Sequence, residues 1–362
     1  MPIPSTSEME RILVVQTAYP GDVILTLPLV QSLDRHLRDV SIDVVVVPRA
    51  AGLLAGHPAI DTVISYDKRG SDSGIGGLRR LAKNLHKNNY QLALVPHRSL
   101  RSAALVWLTG VPRRIGFNTS SGKWLLSETV SYETSLHEVF RNTKLLEPLG
   151  IPLGELELPC LYPSDEDRSV VDRFLTSLGS HTAERFVTIA PGTVWNTKRW
   201  LPERYIELAK KIVEDGYPVI LAGGDDDRHL CETMAKDAGS QGIFSSAGEL
   251  SWLQFANLLQ RSALLISNDS APMHVAVAMR TPVVAIFGAT IPEFGFAPNG
   301  LHDVVVEMKG LSCRPCSKHG GSVCPISTFA CMKGITVGDV YTLVRECLDS
   351  SSPGNGAGRI RA

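Results

Sequence analysis

The chain has 362 residues, 44% hydrophobic and 20% charged, with a formal net charge of −1. That length exceeds one ordinary core and suits two domains, and the composition excludes disordered and fibrous classes. No apolar run reaches the roughly 18–20 residues that span a bilayer. The opening Met-Pro-Ile-Pro-Ser-Thr-Ser-Glu-Met-Glu-Arg lacks the basic and apolar regions of a secretory signal, so a cytoplasmic location is expected.

In chain order, residues 11–16 predict a short strand closed by the turn residues Tyr19-Pro20-Gly21-Asp22. Helical spacing follows over 23–37, with Pro28 predicting a kink or a late start. Further strands are expected at 42–47, 63–66 and 92–95, the last preceded by a helix at 77–88. Strands alternating with helices predict a parallel, doubly wound sheet. A proline-rich stretch at 150–167 reads as the linker. The pattern then restarts, with strands at 186–190, 218–221, 263–266 and 283–287. Helices are expected at 202–215, 225–238, 251–260, 273–279 and 337–348. The expected domains are 1–165 and 166–348, followed by a disordered tail at 349–362. Two similar α/β halves imply a cleft between them, the usual home of a two-substrate site.

The small net charge conceals an asymmetry. Residues 68–123 contain eleven lysines and arginines and a single acid, Asp72. Such a surplus fits a solvated helix face at Arg79 to Lys87, but its loop arginines point to a polyanionic partner. Nucleic acid, an anionic membrane surface and a phosphorylated substrate all qualify.

No G-x-G-x-x-G follows the first strand and no P-loop occurs, which disfavours dinucleotide oxidoreductases and P-loop enzymes. Asp22, where the first strand ends, is placed either as a general base or as a helix cap. In Ala190-Pro-Gly-Thr-Val-Trp-Asn-Thr-Lys-Arg-Trp, Thr193 and Lys198 suit phosphate oxygens, or else Lys198 and Arg199 are surface charges lying on Trp195 and Trp200. Asp225 or Asp227 suits a ribose diol, and equally a helix dipole. Asn268-Asp-Ser-Ala-Pro-Met-His puts Asp269 and Ser270 where a strand ends and a helix starts, a place that holds anions. Cys313, Cys316, Cys324 and Cys331 have the spacing C-x2-C-x7-C-x6-C, which suits either a structural zinc site or reduced thiols. His137 and Arg141 share one face if that segment is helical.

Several of these motifs, in this order, resemble glycosyltransferase family 9, the lipopolysaccharide heptosyltransferases. They are Gly21-Asp22-Val-Ile-Leu-Thr-Leu-Pro, His137-x3-Arg141-Asn142, the Trp195-to-Trp200 stretch, Asn268 to His274, Phe287-Gly-Ala-Thr and Cys313-Arg-Pro-Cys. The Trp-x-x-Lys-Arg-Trp stretch and the cysteines are more similar to the heptosyltransferase II branch. The family usually has Gly where Ala271 stands, a cost if that position needs a positive φ or a close approach to phosphate.

The resemblance implies a GT-B fold, two Rossmann-like doubly wound domains facing across a cleft, with no cofactor required. It implies an inverting transfer from ADP-L-glycero-D-manno-heptose to the inner-core heptose of a Kdo-lipid A precursor. That anionic, phosphorylated glycolipid implies peripheral contact with the cytoplasmic face of the inner membrane, and no nucleic acid. Asp22 then matches the general base. Lys198 matches a diphosphate contact and Asp269, Ser270 and Ala271 the nucleotide-sugar loop, with Met273 and His274 beside it; Thr193 and Asp225 are candidate nucleotide-sugar contacts in the same C-terminal half. Arg69, Arg98, Arg114, His137 and Arg141 are candidate acceptor contacts in the N-terminal half. The alternatives are a family 9 enzyme with another sugar or acceptor, and a nucleotide-sugar-binding module without catalysis.

Overall fold

The computed structural model describes residues 9–37, 39–153, 157–179 and 185–350. The chain divides into two compact units, 1–162 and 163–362.

The first unit is built on a six-stranded parallel sheet. Its strands are β1 (Arg11–Gln16), β2 (Ser41–Val46), β3 (Thr62–Ser65), β4 (Leu92–Val95), β5 (Arg113–Phe117) and β6 (Glu128–Val130), in the order β3-β2-β1-β4-β5-β6. Runs such as Leu-Val-Val are fully buried because helices cover both faces of a parallel sheet. The second unit repeats the plan with β7 (Val187–Ala190), β8 (Val219–Leu221), β9 (Ile243–Ser245), β10 (Leu264–Asn268), β11 (Val283–Phe287) and β12 (Val304–Glu307). Its order, β12-β11-β10-β7-β8-β9, is the same doubly wound topology. In each sheet the strand order reverses beside the unit's first strand, between β1 and β4 and between β7 and β10. The carboxyl ends of those strands are where such sheets bind ligands.

Pro28 acts as its position predicts. The 23–37 run splits into two helices, Pro20–Ile24 and Leu27–His36, joined where the Thr26 hydroxyl donates to the Asp22 carbonyl at 2.8 Å. The region after 97 holds elements that hydrophobic periodicity misses. The Leu100–Leu108 helix is apolar on nearly every side, and β5 begins with two arginines. Arg113 lies there because Glu128 on the neighbouring β6 meets it at 2.7 Å. The expected linker also ends early. Ser164 and Asp167 form a reciprocal cap (2.7–3.1 Å) that starts a helix at Asp165–Ser177. The last helix, Val337–Ser350, runs two residues past its expected end. The rest of the expected tail (351–362) and the first eight residues of the opening segment lie outside the described residues. Among the described residues, no helix is long and apolar enough to cross a membrane.

Candidate active site

In the first unit, β1 runs into the turn at Thr17–Tyr19 and the Pro20–Ile24 helix, whose third residue is Asp22. Its carboxylate accepts the Tyr19 N–H at 3.1 Å, so the capping role is real. It is also more than a cap. Burial first, and then the nearby Glu138 charge, push the Asp22 carboxyl up to about 6, against the pull of the Tyr19 N–H and Arg98.

Glu138, which sequence reasoning passed over, is buried at the start of the Glu138–Thr143 helix. It accepts the Tyr132 hydroxyl at 2.7 Å and Arg141 Nη1 at 2.9 Å. Arg98 lies 3.8 Å over the Tyr132 ring. Arg141 is only 2% exposed and also donates to the carbonyls of Glu133 and Thr134. Its expected contact with an acceptor is therefore not met: the guanidinium is used up in holding Glu138. His137 is the residue before the helix, where Nδ1 accepts the Val139 N–H at 3.3 Å, so it does not share a helix face with Arg141.

Other expected acceptor cations separate by position. Arg98 and Arg69 follow the carboxyl ends of β4 and β3, the ligand-binding edge. Beside them Lys68 donates to the Thr17 carbonyl, and Arg101 donates to the Lys68 carbonyl at 3.0 Å. His97 bonds Thr17 at 3.0 Å and Ser102 at 2.9 Å, and burial, with Lys68 and Arg98 nearby, lowers it to about 4. It is neutral at pH 7. Arg114 is a correction. It sits at the amino end of β5, the opposite edge, and its guanidinium is held by the carbonyls of Val111, Pro112 and Leu125.

In the second unit, β10 ends at Asn268, Ser270 precedes the Ala271–Ala278 helix, and Asp269 lies between. Lys198 Nζ reaches Asp269 Oδ2 at 2.6 Å, and the Thr290 hydroxyl donates to the same oxygen at 2.6 Å. Both side chains of the pair are largely buried, so the surface-charge alternative for Lys198 fails. Trp200 is likewise wholly buried rather than lying under a surface cation.

Asn268 fixes this turn to the sheet. Its side chain accepts from the Trp200 N–H at 2.9 Å and the Tyr205 hydroxyl at 3.0 Å, and donates to the Pro191 carbonyl at 2.8 Å. Asn268→Ala strands three buried groups. It is expected to lower stability by about 1–3 kcal/mol, read by urea denaturation.

Ala271 adopts ordinary helical backbone and is absent from the residues with positive φ, so the feared conformational cost does not arise. Met273 is fully buried and His274 nearly so, which leaves neither exposed for the contact expected of it. Asp225 is also displaced: its side chain is 86% exposed and pairs with Arg228 at 2.9 Å. Asp227 is the carboxylate drawn in. A Cβ at Gly192 would lie 2.0 Å from its Oδ1, so only glycine permits the approach. Burial raises the Asp227 carboxyl above its ordinary value. Arg199 donates to the Thr193 carbonyl at 2.9 Å, shaping the same loop.

The four late cysteines are free thiols. Among the described residues, no three His, Cys, Asp or Glu side chains are gathered as metal ligands, so the alternative of a zinc site finds no ligand set. Their loop instead fastens the Lys198–Asp269 pair from two sides. Arg314 bonds the Thr290 carbonyl at 2.7 Å and Glu307 at 2.9 Å, while the Gly321 N–H donates to Thr197 at 2.8 Å.

Paired Rossmann-like units of this topology, with ligand-suited groups at the strand ends, define the GT-B class of glycosyltransferase folds. The chain matches the model for glycosyltransferase family 9 (heptosyltransferase) over residues 78–325, and it belongs to that family. It is 28% identical over 293 residues to lipopolysaccharide heptosyltransferase 2 of Escherichia coli K12, covering 78% of this chain and 84% of that one. It is also 28% identical over 280 residues to lipopolysaccharide heptosyltransferase 3 of the same strain, covering 75% and 80%. Among solved structures it resembles a family 9 glycosyltransferase from Veillonella parvula (TM-score 0.86, 22% identity, 96% and 98% covered). It also resembles E. coli ADP-heptose lipopolysaccharide heptosyltransferase II (TM-score 0.78, 24% identity, 94% and 99% covered).

Proposed function

We propose that the chain is an inverting glycosyltransferase. It moves a heptose from ADP-L-glycero-D-manno-heptose to the inner-core heptose of a Kdo-lipid A precursor, at the cytoplasmic face of a membrane. The observation that carries this reading is the buried Lys198–Asp269 pair at the carboxyl end of β10, beside the first turn of a helix. An ammonium at that point, at the N-terminal end of a helix, suits the diphosphate of an activated sugar, where negative charge grows as ADP departs.

Asp22 takes the proton from the acceptor hydroxyl. That oxygen then forms a bond to the anomeric carbon as the bond to ADP breaks, and one carboxylate suffices for a single, inverting displacement. The unit at 1–162 is assigned the acceptor and the unit at 163–362 the donor. Arg98 and Arg69 are retained as acceptor contacts, and Thr193, Lys198, Asp269 and Ser270 as donor contacts.

The test pairs ADP-heptose with a Kdo-lipid A acceptor carrying one heptose. The expected result is ADP release and an acceptor heavier by one heptose residue in mass spectrometry. Transfer from UDP-hexoses but not from ADP-heptose would replace the donor assignment.

A pH profile follows from the raised Asp22 carboxyl. The ionised form is the base, so kcat/KM rises with pH through about 6. Glu138→Gln keeps acceptors for Arg141 and Tyr132 but removes a negative charge that disfavours ionised Asp22. The acid limb is expected to move to lower pH, though burial still holds it above the ordinary carboxylate value. An unmoved limb would assign it to another group.

A further inference from the structure

We propose that the outer face formed by the Gly74–His86 and Leu100–Leu108 helices and the turn at Lys123–Leu125 docks on an anionic lipid surface. The two helices lie on one side of the first sheet, since Leu78, Ala82 and Leu85 share a core with Leu105 and Val106. The turn lies on the second helix: a Cβ at Gly122 would meet Ala103 at 2.6 Å and the Leu100 Cα at 3.2 Å. The three segments therefore form one continuous outer layer.

Large apolar side chains stand exposed in that layer among its cations. Leu100 and Trp107 are seven residues apart, on one stripe of their helix, and both are exposed. Trp124 is 70% exposed and Trp107 52%, whereas Trp195, Trp200 and Trp252 are buried or half-buried. Ile75 is also exposed, at the start of the stripe that Arg79, Lys83 and Lys87 continue.

Charge selects the occupant. Lys123 adjoins Trp124, and Arg80 stands beside the helical stripe. The sole acid between residues 68 and 123, Asp72, is within 3.5 Å of Arg80. A protein partner of ordinary composition has no need of so one-sided a field. Exposed tryptophans ringed by lysine and arginine fit the headgroup layer of a bilayer with anionic lipids. None of these residues belongs to the candidate active site, and the proposal requires no sugar chemistry.

The experiment is co-sedimentation of the full chain with phosphatidylcholine vesicles, with and without phosphatidylglycerol. Binding is expected only with the anionic lipid, with a blue shift of tryptophan emission and a loss at high salt. Trp107→Ser with Trp124→Ser, and separately Lys83→Glu with Lys123→Glu, are expected to weaken binding at least about tenfold. Circular dichroism, and turnover of an acceptor detached from its lipid, should not change. Equal binding to neutral vesicles, or none to either, overturns the proposal. So does a concentration-dependent dimer abolished by the tryptophan substitutions, which would give the face to a second copy of the chain. Vesicle binding needs neither donor nor acceptor, so its failure and a failure of the transferase reading are separate results.

Discussion

Replacing Asp22 with asparagine is expected to lower kcat at pH 7 by at least about 100-fold, because a positioned general base contributes roughly 10²–10⁴. Asparagine is the informative substitution. Its carbonyl oxygen can still accept the Tyr19 N–H, so the Pro20–Ile24 helix keeps its cap while proton acceptance is lost. Alanine would remove both, adding about 1 kcal/mol of destabilisation and blurring the reading. With its carboxyl up to about 6, Asp22 is mostly ionised at neutral pH and a stronger base than an exposed aspartate. Calorimetry with ADP-heptose should show donor affinity near that of the unaltered protein, since the assigned donor groups stand in the other unit. Turnover within a few-fold of normal would leave Asp22 as a cap and nothing more.

Much of the architecture is legible in residue order because burial on both faces of a parallel sheet leaves unmistakable apolar runs. The Leu-Val-Val of β1 and the Val-Val-Ala-Ile-Phe of β11 are such runs. Asp22, Lys198 and Asp269 can be picked out because each stands just past such a strand or in the loop that follows it. What stayed hidden depends on depth and on partners distant in sequence. Glu138 reads as one acid among many until Arg141 and Tyr132 are found against it. Met273 and His274 adjoin a promising loop, yet the turn of the helix carries them into the core. Arg114 has a suitable type at the wrong end of its strand, and only strand direction shows that. Asp225 and Asp227 differ by two positions; the gap over Gly192 decides between them, and no spacing rule encodes it.

Lys198→Ala is the other substitution expected to be severe, at about 2.7–4 kcal/mol of transition-state stabilisation, or roughly 10²–10³ in kcat/KM for the donor. The loss has two parts. The ammonium no longer meets the charge growing on ADP, and Asp269, with a side chain only 9% exposed, keeps a carboxylate that now repels the diphosphate. Thr290 still donates to that carboxylate but supplies no positive charge. A second substitution separates the parts. If repulsion matters, Asp269→Asn added to Lys198→Ala should recover some donor affinity, so the two effects will not sum. If instead Asp269 makes a contact of its own with the sugar, the double variant should be worse than either single one. Lys198→Arg retains the charge on a larger, planar group, and an intermediate loss is expected because a fork of donors does not reproduce a compact ammonium. Full activity in Lys198→Ala would leave the pair as a buried strut of the second unit and move the diphosphate elsewhere on its sheet.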